Sequence, residues 1–287
     1  MEFTCYSKFM KKPHPNNKLN DLSGDKWIFF TQSVLRTNYP KSLCFLLRHQ
    51  HGANKPPEFM KDIILFFTKK GSTVLDPFAG VGGTLLGASL CGRESVGIEI
   101  NPKWISVYKK VCKKENIKKQ KMIKGDCLEA MDNLVKSKKK FSLILTDPPY
   151  NINLDRTMCR GDYPNRNRFT NYNGFSKLIK DFSNCKTYEH YLDKMALFIE
   201  RSSRLLYKNK YLIIMTKNAY QNGKYILVNQ DIAKIAQSRG FALKGEIIWC
   251  PNGVRLRPYG YPFSYVPNII HHNILVLRKE VTNGLAI

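Results

Sequence analysis

The apolar run at residues 141–146 (FSLILT), followed at once by Asp147-Pro148-Pro149-Tyr150, limits the fold more than any other part of the chain. The run is too short for a helix of its own and is bounded by a basic turn, so it predicts a buried strand with the tetrapeptide at its carboxyl end. Open α/β sheets place their ligands at that end of the strands. Both prolines lack an amide proton and have a restricted φ, which holds the local carbonyls stiffly and free of ladder pairing. An acceptor carboxylate, a rigid carbonyl and an aromatic face in sequence suit the task of holding a planar ring by its amino group and stacking on it. Acidic-proline turns after strands are also ordinary turns, so the tetrapeptide does not decide the matter alone.

A second element upstream does. Residues 72–76 (STVLD) read as another short buried strand, which runs into Pro77-Phe78-Ala79-Gly80-Val81-Gly82-Gly83-Thr84 and then the apolar helix LLGASLC. Here the chain resembles the S-adenosylmethionine-dependent amino-methyltransferases, whose glycine-rich cofactor loop reads DPFxGxGxT and whose catalytic tetrapeptide reads DPPY. Both motifs are matched without a gap, cofactor loop first, and the resemblance runs from roughly residue 27 to residue 279. It implies a Rossmann-like class I methyltransferase fold, an α/β sheet of seven mostly parallel strands with helices on both faces and its last strand reversed. It also implies S-adenosyl-L-methionine as cofactor and a catalytic group of Asp147, Pro148, Pro149 and Tyr150.

Lys plus Arg number 47 against 22 Asp plus Glu, a formal net charge of +25, which points to a polyanionic partner. A lysine-rich genome would enrich glutamate as well, yet acids are scarce. The eight cysteines are scattered without a CxxC pair or a histidine at zinc-ligand spacing, so no metal site is expected and the thiols read as free in a reducing compartment. No apolar run approaches the ~20 residues of a membrane span, and the amino terminus lacks a signal-like apolar core. A cytoplasmic protein is expected. Adjacent strand residues point to opposite faces, so His271 and His272 are not expected to share a metal.

In chain order, residues 1–25 are polar and basic and read as a loose arm; residues 26–287 read as one catalytic domain. Asn54, Lys55, Pro56, Pro57 and Glu58 open a helix whose Met60, Ile63, Ile64 and Phe67 form an i, i+3, i+4, i+7 stripe. In the resembling family this segment, with Lys55 and Pro56, helps cover the methionine end of the cofactor. Residues 94–99 (ESVGIE) form a strand ending in Glu99, 19 residues past Gly80, where an acid suits ribose hydroxyls; Ile100 follows it. Residues 121–124 (KMIK) form a third strand leading to Asp126 and Cys127. The resemblance gives Asp126 the cofactor's adenine amino group, and a helix cap would use the same residue. The expected cofactor group is therefore Lys55, Pro56, Asp76, Pro77, Phe78, Ala79, Gly80, Gly82, Thr84, Glu99, Ile100, Asp126 and Cys127. Beyond the tetrapeptide come a helix over about 188–207, a strand at 211–216, a helix near 230–238 and strands near 245–250 and 269–278.

Two stretches fall outside this pattern. Residues 151–187 form a long insertion rich in Asn, Arg, Tyr and Gly, and long loops inside compact domains are usually functional or disordered. In residues 252–268 two arginines and four aromatics alternate with prolines. Basic side chains interleaved with aromatics suit phosphates and exposed bases. Arg156, Arg160, Arg166, Arg168, Arg255, Arg257, Tyr259 and Tyr261 are the expected nucleic-acid contacts.

An exocyclic amine is a poor nucleophile because its lone pair is delocalised, and acceptors on both amino protons favour the pyramidal nitrogen that attacks. Asp147 and the Pro148 carbonyl supply them, with Tyr150 stacking on a base extruded from double-stranded DNA. Aspartate at the head of the tetrapeptide leans toward adenine N6 over cytosine N4 in the family. An RNA methyltransferase acting on adenine or guanine amino groups is the second reading, since the core motifs do not distinguish the polymers. A third is a catalytically silent nucleic-acid-binding subunit; intact Asp76, Gly80, Glu99, Asp126 and Asp147 argue against it. A cognate restriction endonuclease as partner and the oligomeric state are left open.

Overall fold

The computed structural model describes residues 12–149 and 181–280. Its centre is a sheet of eight strands among these residues: β1 (Val34–Arg36), β2 (Thr73–Asp76), β3 (Glu94–Glu99), β4 (Lys121–Lys124), β5 (Phe141–Thr146), β6 (Leu206–Thr216), β9 (Phe241–Cys250) and β10 (His272–Lys279), in the order β1-β9-β10-β6-β5-β2-β3-β4. A separate hairpin pairs β7 (Ala219–Gln221) with β8 (Lys224–Ile226). Strand β10 is antiparallel to both β6 and β9, and every other pairing in the large sheet is parallel. This is the expected α/β sheet with its last strand reversed, extended by one strand. The addition, β1, pairs Val34, Leu35 and Arg36 with Ile248, Trp249 and Cys250. Its three residues carry no usable period, and the free edge of β9 gives them a partner.

The helices are α1 (Gly24–Phe29), α2 (Phe45–His49), α3 (Pro57–Phe67), α4 (Gly83–Leu90), α5 (Pro102–Lys114), α6 (Cys127–Lys136), α7 (Tyr188–Leu205) and α8 (Val228–Gln237). Successive strand side chains point to opposite faces, and β5 and β6 show it. Ile144, Leu212 and Ile214 pack with α6, α7 and α8 on one face, while Leu143, Leu145, Ile213 and Met215 pack with α3 on the other. Both faces are covered, so these strands read as continuous apolar runs and not as alternating ones. Each buried Leu or Ile contributes roughly 1.5–3 kcal/mol.

Helix starts follow local chemistry. Asn101 caps α5 by accepting from Lys103 N at 3.0 Å, with Pro102 in the first turn. Thr187 caps α7 by accepting from His190 N at 3.1 Å. Because β2 through β6 and β9 run parallel, their carboxyl ends gather at one edge, and β10 starts there. Asp76, Glu99, Asp147, Lys217 and His272 thus come to the same rim from distant parts of the sequence. Among the described residues no helix is long and apolar enough to cross a membrane.

Candidate active site

The turn from β2 into α4 needs its glycines. Gly80 and Gly82 have φ of +50° and +81°, the left-handed region that side chains strain to adopt. A Cβ on Gly82 would stand 2.3 Å from the Tyr108 ring of α5, and one on Gly83 would stand 3.0 Å from the Lys55 carbonyl. The loop is therefore pressed between α5 and the entry to α3. Ala79 N also donates to Ile98 O at 2.9 Å, tying the loop to β3.

Beneath the loop lies an open cleft enclosing about 880 Å³, its solvent-filled mouth included. Its lining includes Lys55, Asp76, Pro77, Phe78, Ala79, Gly80, Thr84, Glu99, Ile100, Asp126, Cys127, Asp147, Pro148 and Pro149. Of the expected cofactor group, Pro56 and Gly82 stand behind the lining. Pro56 caps α3 and its carbonyl accepts from Met60 N at 3.1 Å; Gly82 caps α4.

Three of the acids lining this cleft sit in different settings. Asp76 is 4% exposed and accepts from Thr146 Oγ1 at 2.7 Å and Phe78 N at 3.1 Å. Burial pushes its carboxyl up to about 6 in spite of these bonds. Glu99 joins two turns, since Oε2 accepts from Gly80 N at 2.8 Å and Oε1 from Asn101 N at 2.7 Å. Burial carries Glu99 to about 7 although both amides oppose the rise. An ionised carboxylate has about four acceptor positions, so two remain for hydroxyl groups in the cleft. Asp126 caps α6, with Oδ1 accepting from Leu128 N and Glu129 N, each at 3.0 Å. It serves as the cap and lines the cleft at once.

Asp147 sits just beyond β5, and its Oδ2 accepts from the ammonium of Lys55. Lys217 and His272 lie within electrostatic reach of Lys55. Burial, then Lys55, lowers the Lys217 ammonium. Burial, then Lys55, Lys217 and His271, holds His272 down to about 2, and its ring stacks on Trp249 with centroids 5.2 Å apart.

Several lining residues carried no local sequence signal. His51 stands 3.1 Å from where a Gly80 Cβ would be and packs edge-on against Trp104, with centroids 4.8 Å apart. Burial, with Lys55 nearby, lowers its imidazole to about 4. Asp181 and Phe182 close the far side, with Phe182 edge-on against Phe78 at 4.9 Å. They fall in the stretch read as an insertion, yet residues 182–185 include Phe182 and Cys185 of the buried core.

Tyr150, Arg156, Arg160, Arg166 and Arg168 lie outside the described residues. Arg255 and Arg257 are exposed and Tyr259 partly so, on the loop from β9 to β10. Tyr261, Phe263 and Tyr265 in the same loop are 78%, 93% and 85% exposed. The loop is braced by Asn268, which accepts from Arg257 N at 2.9 Å and donates to Arg257 O at 2.8 Å. It leaves the sheet at the edge that carries Asp147. Among the described residues no three His, Cys, Asp or Glu side chains gather to hold a metal ion.

A family model described as DNA methylase matches residues 4–110 and 141–282. The chain is 29% identical over 192 residues to a putative ribosomal RNA large subunit methyltransferase of Methanocaldococcus jannaschii, covering 65% of this chain and 48% of that protein. It is 29% identical over 135 residues to a tRNA (guanine(10)-N2)-dimethyltransferase of Methanothermobacter thermautotrophicus, covering 47% and 38%. With the DNA adenine methyltransferase YhdJ of Escherichia coli it shares 33% over 102 residues, covering 36% and 31%. The chain thus spans less than half the length of each of these relatives. Among solved structures, TrmN from Thermus thermophilus gives a TM-score of 0.53 at 16% identity, covering 85% of this chain and 54% of that one. SMU.776, a putative methyltransferase complexed with SAH, gives 0.51 at 11%, covering 79% and 50%. At such identities the likeness is one of fold.

Proposed function

As a member of the DNA methylase family, the chain is a methyltransferase, and we propose that it methylates the exocyclic amino group of a flipped base in double-stranded DNA, adenine N6 first. The observation that carries this reading is that Asp147 opens into the same cleft as the glycine loop and Glu99. A methyl donor and an amine acceptor would meet there.

The cleft fits S-adenosyl-L-methionine. Glu99 offers acceptors for ribose hydroxyls, Asp126 lies on the β4 side for the adenine, and the glycine turn leaves backbone room along the chain between them. Lys55 and the entry to α3 close the other end. When bound, that cofactor supplies a methyl group on a positively charged sulfur. The chain's own part is positional. Asp147 and the Pro148 carbonyl accept the two amino protons, which turns the nitrogen lone pair toward the donor, and Tyr150 stacks on the base. Fixing the reactants in this way accounts for much of the rate such an enzyme needs.

The exposed loop after β9 supports a nucleic-acid substrate, because Arg255 and Arg257 suit phosphates and Tyr261, Phe263 and Tyr265 suit unstacked bases. Extrusion costs a few kcal/mol, which contacts of this kind offset. The arginines that follow Tyr150 in the sequence are counted, as part of this proposal, among the nucleic-acid contacts. DNA is favoured by the family description and by the relationship to a DNA adenine methyltransferase. The RNA reading keeps a specific basis in the ribosomal and transfer RNA relatives. An enzyme that methylates DNA in this way acts in the cytoplasm, alone or beside a cognate restriction endonuclease. The test is transfer of labelled methyl groups to duplex DNA and to RNA by wild type and Asp147→Ala. Transfer to DNA that Asp147→Ala loses while still binding cofactor is the expected result; undiminished transfer by Asp147→Ala would remove the central role given to that residue.

A further inference from the structure

Lys55 was expected at the methionine end of the cofactor, yet its ammonium is bonded to the carboxylate of Asp147, 92 residues further along the chain. Both side chains are nearly shut off from water, at 8% and 14% exposure, and both line the cleft. The backbone of Lys55 is held as well. Its carbonyl accepts from Arg48 Nη1 at 3.4 Å and abuts Gly83 of the cofactor turn. The side chain therefore springs from a fixed point on the glycine turn and ends on the catalytic carboxylate. That bond occupies Oδ2 of Asp147 and one of the three donors of an ammonium.

A purely structural ion pair is a poor explanation for this arrangement. Taking both ions out of water costs several kcal/mol each, and an apolar pair of the same volume is often as stable or more so. Here two more basic side chains, Lys217 and His272, stand half-buried within electrostatic reach of Lys55. A lysine donor bonded to a carboxylate inside the cleft suits a ligand edge that carries an acceptor next to a donor.

Building on the base-methylation reading, we propose that Lys55 and Asp147 together read one edge of the target base: Asp147 accepts from the exocyclic amine while Lys55 donates to the unprotonated ring nitrogen beside it. Adenine offers N1 next to its N6 amine, and cytosine offers N3 next to its N4 amine. Guanine carries a proton on N1, so on that side of its N2 amine the donor of Lys55 meets a donor; its acceptor N3 lies on the other side of N2, toward the sugar. The pair thus orients the amine with two side chains and disfavours guanine presented by its N1 side. Lys55 is a specificity residue that touches substrate, and its bond to Asp147 keeps the reader assembled before the base arrives.

The test uses a duplex carrying the site that wild type methylates, mapped beforehand, with adenine or 1-deazaadenine at the target, or 3-deazacytosine if the mapped base is cytosine. The deaza base keeps the amine and replaces the ring acceptor by C–H. Wild type should lose about tenfold to a hundredfold in kcat/KM on the deaza substrate, the scale of one hydrogen bond to a charged donor. Lys55→Met should lose a similar factor on the natural base and within about twofold nothing more on the deaza base, both compared at saturating cofactor. Equal use of both substrates by wild type, or the full deaza loss persisting in Lys55→Met, would overturn the assignment. Wild type alone gives the first comparison should Lys55→Met not fold. Any transfer by wild type to a DNA amine upholds the underlying reading whichever way the deaza comparison falls; none at all would overturn both.

Discussion

Glu99 gives the sharpest pH dependence. Its carboxyl rises from an ordinary 4.5 to about 7 by burial, a penalty on the ionised form on the order of 3 kcal/mol. The folded state binds its proton more tightly than the unfolded chain does, so this group's contribution to stability is whole below about 4.5 and declines as pH rises to about 7. Cofactor binding runs the other way, because ribose hydroxyls donate to the ionised form. With a carboxyl at about 7, roughly a tenth of the molecules are competent at pH 6 and roughly nine tenths at pH 8, so apparent affinity should rise about tenfold across that window. Asp76, at about 6, adds a factor of about two at most. Calorimetric titration of wild type with S-adenosylhomocysteine from pH 6 to 8 should show the rise, with proton release on binding near pH 6.5. Glu99→Gln should bind more weakly and keep only the smaller factor. A flat wild-type profile, or the same slope in Glu99→Gln, would refute the assignment of ribose hydroxyls to Glu99.

Gly82→Ala should lose about 2–5 kcal/mol in urea unfolding: a left-handed alanine costs about 1–2 kcal/mol, and displacing Tyr108 also breaks the bond it accepts from Gln120 N at 2.8 Å. Gly71→Ala, with φ +81° but nothing within 4 Å of its added Cβ, should lose only the first part. Replacing Arg255 and Arg257 together by alanine should weaken DNA binding and lower the log–log salt slope by about 0.9 for each phosphate no longer neutralised, with cofactor binding unchanged; an unaltered slope would take both off the interface. Replacing Arg156, Arg160, Arg166 and Arg168 together should do the same in that assay.

Buried apolar strands and the glycine turn were legible because each is set by local pattern: FSLILT, STVLD and ESVGIE became β5, β2 and β3 at nearly their expected bounds. The hairpin of β7 and β8 had a readable signal in Asn222-Gly223, whose φ of 51° and 75° suit a tight two-residue turn, and it went unread. Strand β9 starts at Phe241, ahead of the expected 245, because Leu243, Lys244 and Gly245 are too exposed to show an apolar period. What sequence could not show was the meeting of distant segments. Lys55 reaches Asp147 because the entry to α3 packs at the rim where β5 ends, and His272 meets Trp249 as its direct partner across antiparallel β9 and β10. His51 and Asp181 reach the cleft from segments outside the strands. Loop chemistry alone carried the reading of residues 252–268, where Tyr261, Phe263 and Tyr265 are exposed, and contact with nucleic acid there stands as a proposal.

The most direct test of the central claim is mass spectrometry of nucleosides from DNA and RNA of cells expressing wild type or Asp147→Ala. N6-methyladenine in the DNA of wild-type-expressing cells, absent with Asp147→Ala, is the expected outcome. Unmodified DNA together with Asp147-dependent methylation of RNA would contradict the choice of DNA.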